Sequence, residues 1–233
     1  MPAKPIELYY WPTPNGHKIT IMLEECGLAY DVRAINIMRG EQFKPEFLAV
    51  SPNNRMPAIV DPDGPGGQPI SVFESGAILQ YLGRKTAMFY PADERGRVEV
   101  EQWLYWQMGG LGPMAGQCHH FRNYAPEKIP YAIDRYVNEV NRLYGVMDRR
   151  LADREYLAGA YSIADMAAFP WVRPYKNQGQ DIAQFKNLER WFNGLAARPA
   201  VAKAVEVGAD LRKPNDLATD KEAQKILFGQ KAR

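Results

Sequence analysis

Residues 9–25 read YYWPTPNGHKITIMLEE. An apolar, aromatic run enters a short Pro/Gly turn, and the turn opens a helix with an apolar face. In folds built on this strand–turn–helix order, the start of the first helix is a favoured place for sulfur chemistry, because a helix N-terminus stabilises a thiolate. Here the turn is P-T-P-N-G and holds no cysteine. Its purpose has to be sought in the rest of the chain.

Up to about residue 90, short β-branched or aromatic runs alternate with helical patterns. IELYYW leads into a helix over about 16–26, followed by YDVRAIN and a short helical piece around PEFLAV. Next come PAIVD and PISVF, and then a helix over 75–84. The loop DPDGPGGQ between the last two runs suits a hairpin. A β-α-β unit followed by a β-β-α unit is the thioredoxin-like order. Beyond residue 90 the strand signals stop, and helices are predicted over 93–109, 127–152, 162–175 and 184–197. In YSIADMAAF, Ser162 and Asp165 have the spacing of a capping box, a signal of folding rather than of chemistry. The reading is therefore an α/β thioredoxin-like domain over 1–88, an all-α domain over 92–212 and a C-terminal tail over 213–233, charged and ordered only in part.

The 29 basic residues nearly balance the 27 acidic ones and form no stripe, so no nucleic-acid partner is expected. No run approaches the roughly 20 apolar residues that a membrane span needs. The first residues lack the apolar core of a secretion signal. Cys26 and Cys118 are the only cysteines, which gives no disulfide framework and fits a reducing compartment. A cytoplasmic protein without a membrane association is expected.

Several motifs carry no chemistry. The glycine run GGLGPMAG follows a helix, not a strand, and reads as a helix break or kink rather than a phosphate loop. His119 and His120 are adjacent and lack the i, i+4 spacing of paired metal ligands, so no metal is expected. His17 has no orienting partner in the sequence and reads as a surface or packing histidine. Tyr9 and Tyr10 precede the turn and alternate in direction. Cys118 reads as a packed, inert thiol.

More specific are SPNNRMPAIVD at 51–61 and FESGAIL at 73–79. Pro57 opens a strand, where a cis bond after Met56 would expose main chain able to pair with a peptide-like ligand. In FESGAIL, an acid and a hydroxyl stand at a helix start, suited to an ammonium and a carboxylate, or simply to capping the helix.

With PTPNGHKI, WQMGGLGPM and IPYAIDRY, these strings make the chain resemble the glutathione transferase superfamily over nearly its whole length. The resemblance is closest to the Nu class and its relatives, glutathione-dependent disulfide-bond oxidoreductases. It implies the glutathione transferase fold, a homodimer, and glutathione as cosubstrate in its reduced or disulfide form. By resemblance, Glu74 and Ser75 hold the γ-glutamyl end, and Met56 and Pro57 present main chain to the cysteinyl part. Gln42 and Arg55 lie toward the glycyl carboxylate, and Arg135 reaches a glutathione carboxylate across the subunit boundary. Thr13 and Asn15 fall beside the sulfur, where other transferase classes place a Tyr, Ser or Cys. The implied function is reduction of small or mixed disulfides through bound glutathione thiolate and no protein cysteine. Conjugation of glutathione to electrophiles and a non-catalytic binding module are the alternatives.

Overall fold

A computed structural model of the chain describes residues 4–211 and 216–231. They form two compact units, one comprising the residues up to Leu79 and those from Lys203 onward, the other Gln80–Ala202.

The first unit is built on a four-stranded sheet in the order β2-β1-β3-β4. β1 (Ile6–Tyr10) runs parallel to β2 (Tyr30–Ala34). It is antiparallel to β3 (Ala58–Asp61), which pairs antiparallel with β4 (Ile70–Phe73). The parallel pair requires a crossover, which α1 (Pro14–Glu25) supplies. α2 (Pro45–Leu48) and α3 (Ser75–Thr86) complete the thioredoxin-like order. Strand alternation buries Ile6, Leu8 and Tyr10 and leaves Glu7 and Tyr9 half-buried. Between β3 and β4, Gly66 and Gly67 adopt φ of 69° and 71°, a left-handed geometry that residues with a side chain rarely accept.

The second unit is helical: α4 (Glu94–Trp106), α5 (Gly112–His119), α6 (Pro130–Arg150), α7 (Ile163–Val172) and α8 (Lys186–Ala196). The glycine run interrupts the α geometry of its helix without ending it. Gly109 and Gly110 lie in a π turn, Gln107–Leu111, and the backbone at Gln107 and Gly112 stays right-handed, so α4 runs on into α5. A wider turn absorbs an extra residue inside a helix that continues beyond it.

α9 (Pro199–Glu206) leads the chain back to the first unit. There Tyr10 Oη donates to the Val207 carbonyl at 2.9 Å and Thr20 Oγ1 to that of Ala204 at 3.0 Å. Of the tail expected over 213–233, residues 213–215, 232 and 233 lie outside the described residues. The remainder carries α10 (Asp216–Thr219) and α11 (Lys221–Phe228), a regular structure that charge and weak patterning did not announce. Asp220 caps α11 by accepting from the Ala223 amide at 2.9 Å, and Arg39 pairs with Asp220 at 3.1 Å and Glu222 at 3.4 Å.

All ten residues of α7 are buried, and Asp165 organises its start. One carboxylate oxygen accepts from the Ser162 amide at 3.1 Å, closing the capping box. The other accepts from the Leu157 amide at 3.0 Å and the Trp191 indole at 2.8 Å. Asp165→Ala would strand these three buried N–H donors and remove the Ser162 hydroxyl's acceptor at 3.3 Å. At about 1 kcal/mol or more for each, the loss is expected to reach about 3 kcal/mol in urea unfolding. Asp165→Asn is expected to fall between, since its amide group offers one acceptor where the carboxylate offers two.

Candidate active site

The turn before α1 is held by its own hydrogen bonds. Thr13 is the N-cap, extended at φ −126°, and its hydroxyl accepts from the Gly16 amide at 3.3 Å. Pro14 stands at the first helical position, where a missing N–H costs nothing. A Cβ on Gly16 would lie 2.4 Å from the Trp11 carbonyl oxygen and 2.7 Å from the Tyr10 ring, so only glycine lets the helix start this close to β1. Asn15 occupies the second helical position.

The loop 51–57 stands beside this turn. Buried Ser51 donates from its hydroxyl to the Arg55 carbonyl at 2.7 Å, and the Asn54 amide returns to the Ser51 carbonyl at 2.9 Å. The Met56–Pro57 peptide is cis. Met56 Sδ lies 3.7 Å from the Thr13 hydroxyl, which donates to it. Arg55 is exposed and donates through Nη1 to Asn54 Oδ1 and to Gln230 Oε1, each at 2.8 Å. Gln42 is buried, with its Nε2 donating to the Ile37 carbonyl at 3.2 Å. Its Oε1 has no hydrogen-bond partner among the described residues. Seated this way, its side chain presents an acceptor, which is poorly matched to a carboxylate.

Glu74 takes a left-handed φ of 69° immediately before α3, and Asn53 Nδ2 donates to its carboxylate at 3.3 Å. Ser75 opens α3 and is buried. Beneath it lies a residue that sequence reasoning passed over. Lys18, on α1, is 1% exposed and its Nζ donates to Ser75 Oγ at 3.3 Å. Burial pushes its ammonium down to about 7, with Glu74 pulling the other way. The lysine stands inside the quoted string PTPNGHKI, but a lone lysine on an amphipathic pattern reads as solvated.

The remaining candidates are engaged elsewhere. Tyr10 Oη spends its one proton on the Val207 carbonyl, so it accepts from His17 Nδ1 at 3.1 Å, and that nitrogen carries the proton. His17 is thus a buried packing histidine with a partner that the sequence did not reveal. Tyr9 Oη donates to Glu7 at 3.2 Å. Cys118 is buried, its thiol donates to the Gln178 carbonyl at 3.6 Å, and burial pushes it up to about 11. Arg135 lies exposed on α6, 3.9 Å from Glu139. Among the described residues no cluster of His, Cys, Asp and Glu is placed to hold a metal ion, and no helix is long and apolar enough to cross a membrane.

In the first unit the structure thus brings together Thr13 with Met56, Asn53 with Glu74, and Lys18 with Ser75. The outcome is a helix start with a hydroxyl turned to a sulfur atom, beside a second helix start that carries an acid and a hydroxyl.

Family models for the glutathione S-transferase N-terminal and C-terminal domains match residues 4–84 and 121–199. The disulfide-bond oxidoreductase YfcG of Escherichia coli is 50% identical over 202 residues, 86% of this chain and 94% of that protein. A glutathione transferase from Pseudomonas putida, solved with one glutathione disulfide bound per subunit, superposes with a TM-score of 0.83 at 46% identity, over 88% of this chain and 94% of its own. One from Burkholderia graminis, with two glutathione molecules per subunit, gives 0.83 at 45% identity, over 87% and 88%. With half the sequence shared across nearly the whole length, and both family domains in order, the chain belongs to the glutathione S-transferase family.

Proposed function

We propose that this protein is a Nu-class enzyme of the cytoplasm that reduces small or mixed disulfides with glutathione, using no cysteine of its own. The observation that carries this reading is the Thr13 hydroxyl. It accepts from the Gly16 amide and directs its proton at the Met56 thioether. A thioether is a weak acceptor, and a thiolate placed there would displace it as the stronger one. Thr13, Asn15 and the start of α1 then favour ionised glutathione sulfur, with Glu74 and Ser75 on the γ-glutamyl end. Met56 and Pro57 line the cysteinyl part, and Arg55 faces the glycyl carboxylate; Gln42 joins it only if its amide turns over. The names of the relatives and the glutathione disulfide bound in the Pseudomonas putida structure support disulfide reduction over conjugation.

The chemistry balances with two glutathione molecules. One thiolate attacks the substrate disulfide, forming a mixed disulfide and expelling the first substrate thiolate. The second attacks the glutathionyl sulfur, releasing glutathione disulfide and the other substrate thiolate. A dithiol enzyme would hold both sulfurs itself. Here Cys118 is buried and held protonated, while Cys26 caps the far end of α1. The relative with two bound glutathione molecules fits this stoichiometry.

A two-fold homodimer is part of the same reading, with Arg135 reaching a glutathione carboxylate of the neighbouring subunit. Arg135→Ala is expected to weaken glutathione binding by about 1.5–3 kcal/mol, the range for a hydrogen bond to a charged group. Unchanged affinity, or a monomer in sedimentation, would remove this part.

Thr13→Ala and Asn15→Ala should raise the pKa of bound glutathione, followed by thiolate absorbance. Turnover then falls most near neutral pH and recovers toward alkaline pH, where the thiol ionises unaided. Tyr10→Phe is the control. It should lower stability by about 1–3 kcal/mol through the stranded Val207 carbonyl, and leave the sulfur titration where it was.

The double variant Cys26→Ser, Cys118→Ser is expected to reduce hydroxyethyl disulfide with glutathione at near wild-type rate. Comparison with a chlorodinitrobenzene assay separates reduction from conjugation. Loss of reductase activity in a folded Cys118→Ser protein would make that thiol a participant and end the cysteine-free mechanism.

A further inference from the structure

The C-terminal segment joins the two loops that the proposed function assigns to the glycyl end of glutathione. On one side, α11 lies against the turn Ile37–Arg39, which precedes Gln42. Arg39 pairs there with Asp220 and Glu222, Ala223 is fully buried, and Ile226 Cγ2 would stand 3.9 Å from a Cβ on Gly40. On the other side, Gln230, one residue past the Gly229 cap of α11, reaches Arg55.

The contact at Arg55 is selective about which donors it uses. A guanidinium has five N–H groups in one plane. The two on Arg55 Nη1 are directed at Asn54 Oδ1 and Gln230 Oε1, each at 2.8 Å, with the Asn54 carbonyl further off at 3.4 Å. Asn54 is itself held, at a left-handed φ of 49°, by its amide bond to the Ser51 carbonyl. Two acceptors from distant parts of the chain thus pin one nitrogen of an exposed side chain that would otherwise sample many rotamers. The Nε–Nη2 edge makes no hydrogen bond to the described residues. That edge is the one a guanidinium offers side-on to a carboxylate. Elsewhere in this chain Arg142 takes Glu139 with it at 2.9 and 2.7 Å, and Arg154 takes Asp153 at 2.7 and 3.0 Å. Both acceptors on Nη1 are neutral amide oxygens, so the side chain is oriented while its charge is left uncompensated.

We propose that Gln230 is a positioning residue for Arg55, and that with Asn54 it fixes the Nε–Nη2 edge for side-on capture of the glycyl carboxylate of glutathione. The inference rests on the assignment of Arg55 to that end of the ligand. The C-terminal segment, anchored on Arg39, is then the strap that carries Gln230 to its place.

The test compares two ligands by calorimetry: glutathione, and γ-glutamyl-cysteinyl-glycinamide, which replaces only the glycyl carboxylate by a neutral amide. The wild type is expected to prefer glutathione by about ten- to a hundredfold, the worth of a charge-assisted contact. Gln230→Met, of similar length and without the oxygen, should bind the amide ligand as the wild type does and lose about two- to tenfold of the preference, the cost of immobilising a loose arginine as the ligand arrives. Gln230→Glu should lose more, since its carboxylate competes with that of the ligand. Gln230 is half-buried and lies beyond the end of α11, so neither change touches the core. Full preference in either variant overturns the proposal, as does equal weakening of both ligands, the mark of a merely structural role. Arg55→Ala separates this result from the reading beneath it. It should remove most of the preference, and a preference retained there overturns the assignment of Arg55 itself.

Discussion

Helix α1 is packed from Gly16 to Leu23 without a break, so every polar group it carries inward has to be satisfied by protein. Three neighbouring positions carry such groups, and each reaches a different part of the first unit. His17 meets Tyr10 on β1. Lys18 meets Ser75 at the start of α3. Thr20 meets the Ala204 carbonyl on the returning chain. One buried helix therefore fixes the strand beside it, the second helix start and the C-terminal segment. Its own start is set by Gly16, whose backbone comes too near Trp11 and Tyr10 for any side chain. The Thr13 hydroxyl is exact in position because everything behind it is full.

In the proposed site the two helix starts would divide the electrostatic work. At α1 the protein offers a hydroxyl and a helix terminus and no formal charge, so ionised sulfur would be stabilised by dipoles alone. At α3 it offers the carboxylate of Glu74 at the surface and, beneath it, Lys18, whose ammonium burial pulls down to about 7. Dipoles suit a reacting atom whose charge must come and go during exchange. A surface carboxylate suits an end that only has to stay in place.

Much of this was legible in the sequence, for physical reasons. The order of strands and helices follows from runs of two periodicities, and the hairpin glycines and the Ser162–Asp165 box sit where backbone geometry demands those residue types. What escaped was burial of polar residues. Lys18 was passed over and His17 read as a surface or packing position, since their partners Ser75 and Tyr10 are set by tertiary contact. The π turn at Gly109 and Gly110 escaped because glycine announces a departure from α geometry but not its kind. The C-terminal helices escaped because the cap at Asp220 is a weak signal in a charged stretch and its partner Arg39 lies far away in the sequence.

The return of the chain bears on how the protein is made. Tyr10 and Val207 are 197 residues apart, and Thr20 and Ala204 are 184 apart. On a ribosome the sheet and α1 emerge early, while the carbonyls that complete their hydrogen bonding are still untranslated. The first unit to be synthesised is thus the last to be finished, and the helical unit, whose residues are contiguous, has the shorter wait.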